Sequence, residues 1–405
     1  MQNNIYDSSR QFCSGCSACY IVCPKKAIEI KLDEEGFYKA FVDKEKCISC
    51  GMCKKVCTRF NEKIKQLPTK LEKGKLYAAQ SKNIEVINSC TSGGIAYEIA
   101  KYGIENGYKI AGVIYNYEKN NAITIITDNL DELEKIKGSK YIQAYTTSAF
   151  NEIINECKKN EKAKYMVFGT PCQIAGLRKT INVYNIKNDI LMVDLFCHGV
   201  PSYLAWNQYL EWLKEKKKVD KIDKVVFRSK HIGWHDFCME IHSNTKKYYK
   251  CSEGDAFYKA FFDNILLNKS CFKCDVRMKR SYADLRLGDY WGKRYKNRQD
   301  GVSAVLSLTE KGKDIIQKIE NSNLIKILEE TTVQECMEAQ SGKEYDNIQI
   351  RESAFKKLKE TGNLEKTIKY YRKLMPIKWK IKKGIKESTV ILPDQMRAEL
   401  RRLSK

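Results

Sequence analysis

The 405-residue sequence has no apolar run near the ~20 residues that a membrane-spanning helix needs. Its first residues, Met1-Gln-Asn-Asn-Ile-Tyr-Asp7, carry neither a basic region nor an apolar segment of the secretory kind, so no leader is expected. Together these absences predict a cytoplasmic protein. Histidine is scarce, with only His198, His231, His235 and His242. No Ser-His-Asp set and no paired carboxylates can be assembled, so hydrolysis has no support and no catalytic residue is assigned. No recognition-helix or aromatic-strand signature accompanies the formal charge of +23, so nucleic acid is not an expected partner.

Cysteine, in contrast, is plentiful, with 17 residues. A chain of this length suggests two or three domains and buries a full core without disulfide staples. In a reducing compartment, regular cysteine spacing points to metal or catalysis. Cys13-x2-Cys16-x2-Cys19-x3-Cys23-Pro24 and Cys47-x2-Cys50-x2-Cys53-x3-Cys57 repeat the rhythm of two [4Fe–4S] sites in a bacterial-type ferredoxin. Three thiolates on a tight loop cover one face of a cubane, and the fourth is carried to the other cluster. Cys13, Cys16, Cys19 and Cys57 are therefore expected to hold one cluster, and Cys23, Cys47, Cys50 and Cys53 the second. Zinc prefers two separated pairs and suits this rhythm poorly. Thr58 stands where a second proline would follow, which removes no ligand.

Composition divides the rest of the chain. Residues 1–60 are expected to form an α+β ferredoxin-like module, and 61–75, polar and Lys-rich with Pro68 and Gly74, a linker. Short apolar runs then alternate with helical patterns, which predicts an α/β domain. Expected strands are 76–80, 109–115, 122–127, 165–168, 190–196, 224–227, 237–242 and 283–287. Expected helices are 94–105, 149–159, 203–217, 255–266 and 310–320. Residues 333–405 read as a basic helical tail, with sixteen basic and five acidic residues between Lys356 and Lys405. Such a tail is either solvated, or its alternation of Ile368, Tyr371, Met375 and Trp379 with lysines lies on an anionic membrane or docks on an acidic partner subunit.

Nine cysteines remain. Cys271-x2-Cys274 is a pair at metal-ligand spacing, while Cys172 and Cys197 each follow an expected strand, where α/β sheets build their sites. Four soft thiolates suit iron–sulfur or zinc. Ser92-Gly93-Gly94 precedes a helical pattern, and glycine with a helix N-terminus suits a phosphate. Lys140 is placed to neutralise a phosphate and Tyr141 to stack on a ring, or Gly138-Ser139-Lys140-Tyr141 is a surface loop. Gly288-Asp289 closes a strand beside the last cysteine pair.

These motifs resemble one family. Thr91-Ser-Gly-Gly94, Gly138-Ser-Lys-Tyr-Ile-Gln143, Gly169-Thr-Pro-Cys-Gln173, Phe196-Cys-His-Gly199, Cys271-x2-Cys274 and Ala283-Asp-Leu-Arg-Leu-Gly-Asp-Tyr-Trp-Gly292 follow the order found in the beta subunit of coenzyme F420 hydrogenases and dehydrogenases. A ferredoxin module is fused in front. The resemblance implies that 76–150 and 151–332 are the two parts of a flavin-binding domain. It implies FAD near Thr91, Ser92, Gly93, Gly94, Gly138, Ser139, Lys140, Tyr141, Gly288 and Asp289, and a third [4Fe–4S] cluster on Cys172, Cys197, Cys271 and Cys274.

The implied function is an iron–sulfur flavoprotein oxidoreductase, moving electrons between a hydride carrier such as coenzyme F420 and ferredoxin or another redox protein. The alternative is a non-catalytic electron-transfer subunit. Cys90, Cys157, Cys238, Cys251 and Cys336 lack partners at ligand spacing and read as bystanders. His198 beside Cys197 is either a proton carrier near the flavin or a packing residue. The segment Phe227–Trp234 either lines a deazaflavin pocket or is an exposed connection.

Overall fold

In the computed structural model of the chain, residues 3–6, 11–60, 69–340, 345–389, 392–393, 396 and 400 are described. Ile28 and Ile30 face inward on β1 (Ile28–Leu32), which pairs antiparallel with β2 (Tyr38–Val42). The turn between them is held by the Asp33 carboxylate, which accepts from the Glu35 and Phe37 amides at 3.0 Å each. Two short helices, Ala18–Ile21 and Met52–Val56, follow the cysteine loops. Gly15 and Gly51 take φ of +68° and +77° there; a Cβ on Gly15 would stand 2.3 Å from the Tyr38 carbonyl. Of the expected linker, 61–68 lies outside the described residues. The remainder is structured: β3 (Thr69–Lys70) is followed by a 3-10 turn and the start of the next strand.

The main sheet takes β4 (Lys75–Ser81), β5 (Lys109–Asn116), β6 (Asn121–Thr127), β7 (Ala144–Tyr145), β8 (Tyr165–Phe168) and β9 (Ile190–Leu195). A separate antiparallel sheet is formed by β10 (Ile222–Ser229), β11 (Cys238–Ser243) and β12 (Lys247–Cys251). Next come β13 (Arg280–Ser281), which pairs with β3, then β14 (Leu285–Asp289), β15 (Ser303–Ser307) and β16 (Ile325–Thr331). The order in the main sheet is β16-β4-β15-β14-β9-β8-β5-β6-β7. Its central strands β5, β8, β9 and β14 are parallel, as an α/β reading requires. Period-two alternation sends Leu191 and Val193 to one face, against the helices Ile95–Glu105 and Glu310–Asn321. Met192 meets the opposite face, under the helices Thr147–Lys159 and Pro171–Val183.

Residues 76–150 and 151–332 contribute to one sheet, because β5 pairs with β8. Several helices depart from the sequence pattern: Ile84–Ser89 and Leu130–Ile136 are not expected from it, and the helix expected over 255–266 spans Ala256–Phe262. Pro171–Val183 is not among the expected helices, and the helix expected over 203–217 ends at Trp212 in a π turn. The C-terminal region is not a solvated tail. Ile348–Thr361 and Leu364–Leu374 contribute Ala354, Phe355, Leu358, Leu364, Ile368 and Tyr371 to the core shared with β10–β12. Ile368, Tyr371 and Met375 point inward, so they cannot form a membrane-facing row. Arg351, buried, reaches back to Glu35 at 2.5 Å. Among the described residues, no helix is long and apolar enough to cross a membrane.

Candidate redox site: three cysteine-ringed cavities and a cleft

The crossed pattern expected from the spacing is the one the chain brings together. Cys13, Cys16, Cys19 and Cys57 ring one cavity; Cys23, Cys47, Cys50 and Cys53 ring another. The third set also converges, with Cys172, Cys197, Cys271 and Cys274 in the wall of a single inner cavity. Cys172 and Cys197 follow the carboxyl ends of the parallel strands β8 and β9, and the 269–278 helices carry the other two over that edge. Burial, with Cys57, Cys13 and Cys172 nearby, pushes the Cys16 thiol up to about 12. Burial and then Cys271, Cys172 and Cys274 raise Cys197. Crowded, desolvated thiols resist ionising alone; an iron core that shares the charge reverses this, so the donor set fits [4Fe–4S] clusters. Among the described residues no three His, Cys, Asp or Glu side chains converge as on a single ion. The thiols ring cavities, which suits a cubane better than one zinc.

The cavities adjoin. Ser14, Thr58 and Arg59 line both the inner cavity and that of Cys13. Helix Pro171–Val183 lies against the ferredoxin-like module so closely that a Cβ on Gly176 would stand 2.8 Å from Cys16 Sγ. Arg59 Nη2 donates to the Ser270 carbonyl at 2.8 Å, and Gln143 Nε2 to the Ser14 carbonyl at 2.9 Å. The cavity of Cys47 is the outermost: Cys50 is exposed, and Ile48 beside it is 58% exposed.

On the same sheet edge opens a cleft of about 1200 Å³, the solvent at its mouth included. Thr91, Ser92, Gly94, Gly138, Ser139, Lys140, Gly288 and Asp289 line it, together with apolar walls that include Ile95, Val113, Phe168 and Leu287. Gly94, at φ +86°, caps the helix Ile95–Glu105, whose N-terminus faces the cleft. The Ser139 amide donates to Thr91 Oγ1 at 2.9 Å and ties the two loops together. A polar, helix-capped end with apolar walls fits a flavin that carries phosphate.

Two stretches of the chain match known families. Residues 162–333 match the model of the C terminus of the coenzyme F420 hydrogenase/dehydrogenase beta subunit, and residues 12–60 that of the 4Fe-4S dicluster domain. The chain is thus similar to the coenzyme F420 hydrogenase/dehydrogenase beta subunit over residues 162–333, with a 4Fe-4S dicluster domain in front. It is 28% identical over 327 residues to a coenzyme F420-dependent sulfite reductase of Methanocaldococcus jannaschii, covering 78% of this chain and 47% of that protein. It is 25% identical over 194 residues to a subunit of the F(420)H(2) dehydrogenase of Methanosarcina mazei, covering 46% and 53%. The chain thus spans about half the length of these curated relatives. A chain in the solved F420-reducing [NiFe] hydrogenase complex of Methanosarcina barkeri aligns with a TM-score of 0.44 at 16% identity, over 75% of this chain and 93% of that one.

Several residues sit differently from expectation. Lys140 lines the cleft, but its ammonium donates to the Ile136 and Lys137 carbonyls at 2.7 and 2.8 Å and caps the preceding helix. Tyr141 does not line the cleft; it packs among Phe227, Phe237, Tyr258 and Phe261. Gly93 is small for packing, since a Cβ would stand 2.6 Å from the Ala79 carbonyl. The Asp289 carboxylate is taken by Arg228 Nη1 and Trp234 Nε1, each at 2.5 Å. The segment Phe227–Trp234 is therefore no exposed connection. Lys230 Nζ donates to the carbonyls of Ile87, Ser92 and Asp300 at 2.7, 2.6 and 2.6 Å, pinning the loop that opens the cleft. His198 packs against Phe261 and Phe262, with Nε2 2.5 Å from Asn264 Oδ1, away from the cleft.

Of the five cysteines read as bystanders, Cys157 and Cys336 are buried, and Cys90 lines the cleft. Cys238 and Cys251 are not unpartnered. They lie opposite each other on β11 and β12 and form a disulfide. Directly opposed residues on antiparallel strands share a face, a proximity that sequence spacing does not reveal.

Proposed function

We propose that this chain is an iron–sulfur flavoprotein oxidoreductase. It moves electrons between a hydride carrier of the coenzyme F420 kind and a one-electron carrier such as ferredoxin. Contiguity carries this reading: Thr170 and Gln173 wall both the cleft and the inner cysteine cavity, and that cavity shares Ser14, Thr58 and Arg59 with the next. A flavin exchanges electrons in pairs with a hydride carrier and singly with iron–sulfur clusters, which is the chemistry the bound groups supply.

The chain's own residues bind, align and exclude water. Gly94 and the Thr91–Ser139 contact would hold the phosphates of a flavin, and the apolar Val113, Phe168 and Leu287 walls would exclude water from its ring. Thr170 caps its helix with Gln173, and Gln173 Nε2 donates to the Ala144 carbonyl at 2.9 Å, so the partition between cleft and cavity is rigid. Exposed Lys25, Lys26, Lys44 and Lys46 lie in the sequence around the outermost cysteine set and favour an acidic redox partner. One relative is named as part of a dehydrogenase of several subunits, which favours, as a second reading, an electron-transfer subunit without flavin.

Anaerobic purification with iron and flavin quantified separates these readings. About twelve irons and one FAD per chain are expected. Iron without flavin selects the electron-transfer subunit, and a colourless zinc protein overturns both. Reduction assays with coenzyme F420, NAD(P)H and ferredoxin then identify the carriers.

Cys13→Ala is expected to remove about four irons and leave FAD bound; unchanged iron would contradict the assignment. Lys230→Met leaves three carbonyls without their charged donor and frees the Ser92 loop. FAD binding should weaken by about 1–3 kcal/mol, roughly five- to 150-fold, read by flavin release on dilution, with iron unchanged.

A further inference from the structure

The helix Ile377–Ser388 is fastened to the protein through the side that carries Trp379, Lys383 and Glu387. Trp379 packs on the core shared with β10–β12 and carries the Arg372 and Lys383 cations over its ring. Lys383 reaches Asp263 at 2.6 Å, and Glu387 accepts from Arg372 at 2.9 Å. At 3.6 residues per turn, positions 379, 383 and 387 form the inner face. Positions 377, 381 and 385 fall on the opposite face, and all three are isoleucine. They are 73%, 58% and 68% exposed. Exposed Lys378 and Lys382 run along one edge of this row; Lys380, on the other edge, is exposed but donates its ammonium to the Lys373 carbonyl at 2.8 Å. Glu387, the only acidic residue of the helix, is turned inward.

We propose that this face seats the protein on an anionic lipid bilayer. A narrow apolar row bordered on both edges by lysines is the geometry of an interfacial helix. The isoleucines enter the acyl boundary, while the stems of Lys378 and Lys382 run beside them and carry the ammonium groups out to headgroup phosphates. Charge complementarity selects the lipid: the outward half of the helix is cationic, and residues 356–405 carry sixteen basic against five acidic residues. The row differs from the one expected from the sequence, whose Ile368, Tyr371 and Met375 are buried. Membrane seating needs neither flavin nor iron, so it stands or falls apart from the redox reading.

The full chain is mixed with sucrose-loaded vesicles of phosphatidylglycerol and phosphatidylcholine, or of phosphatidylcholine alone, and sedimented at low and high salt. Binding only to the anionic vesicles is expected, weakening as salt rises. The triple variant Ile377→Ser, Ile381→Ser, Ile385→Ser should lower partitioning by about tenfold or more. Lys378→Ser and Lys382→Ser should each lower it by about fivefold. Unchanged iron content and melting temperature in these variants show that the fold is retained. The proposal is overturned by failure to bind anionic vesicles, by equal binding to neutral ones, or by undiminished binding of the triple variant. It is also overturned by a vesicle-independent dimer that the triple variant abolishes, which would assign the face to a second copy.

Discussion

Arg286→Met is expected to cost about 3–5 kcal/mol of stability, because it leaves Asp194 charged and buried without its partner. Arg286 and Asp194 are both fully buried, and their two contacts are 2.6 Å each. Arg286 also donates to the Arg277 and Val276 carbonyls, each at 2.9 Å, which fastens the turn after Cys274 to the sheet. The variant should therefore lose iron from the inner set before it unfolds. Denaturant titration beside iron analysis checks this. An unchanged midpoint would show that the pair does not hold the edge together. Arg286→Met combined with Asp194→Leu removes both charges and should recover part of the loss.

Cys271→Ala is expected to give the largest loss of activity. It removes one thiolate of the inner set, and about four of the roughly twelve irons should go with it. On the proposed reading FAD should remain, since Thr91, Gly94 and Ser139 line the cleft and not the inner cavity. Flavin reduction by the hydride donor should persist while ferredoxin reduction falls to background. Normal ferredoxin reduction in this variant would mean that electrons bypass the inner cavity, and the contiguous arrangement would then have no role.

The cysteine spacing makes the N-terminal module legible because metal ligation in a tight loop imposes a local rhythm. Strand ends are legible for a related reason: buried parallel strands are short apolar runs, and Cys172 and Cys197 come directly after two of them. Edge strand β16, with its mixed Ile-Lys-Ile-Leu-Glu-Glu-Thr pattern, lacks that signal. The directions of Lys140 and Tyr141 are not legible, because a motif shows which residues border a site and not which way each side chain turns. Lys140 finds helix carbonyls close by, and Tyr141 finds other rings. Lys230 and Arg228 are hidden for the opposite reason. Their partners Ser92 and Asp289 lie more than 130 and 60 positions away.

Which thiols gather in the ferredoxin-like module, and how the two sets cross, is thus written in local order, since the chain must place neighbouring thiolates around one cubane. Three matters are left to the packing of distant segments: the sharing of walls between cleft and cavities, the opposition of Cys238 and Cys251, and the outward turn of Ile377, Ile381 and Ile385. Each depends on which buried surface wins when several faces compete for the core. In the C-terminal helices that competition buries Ile368, Tyr371 and Met375, and leaves the isoleucine row to the outside.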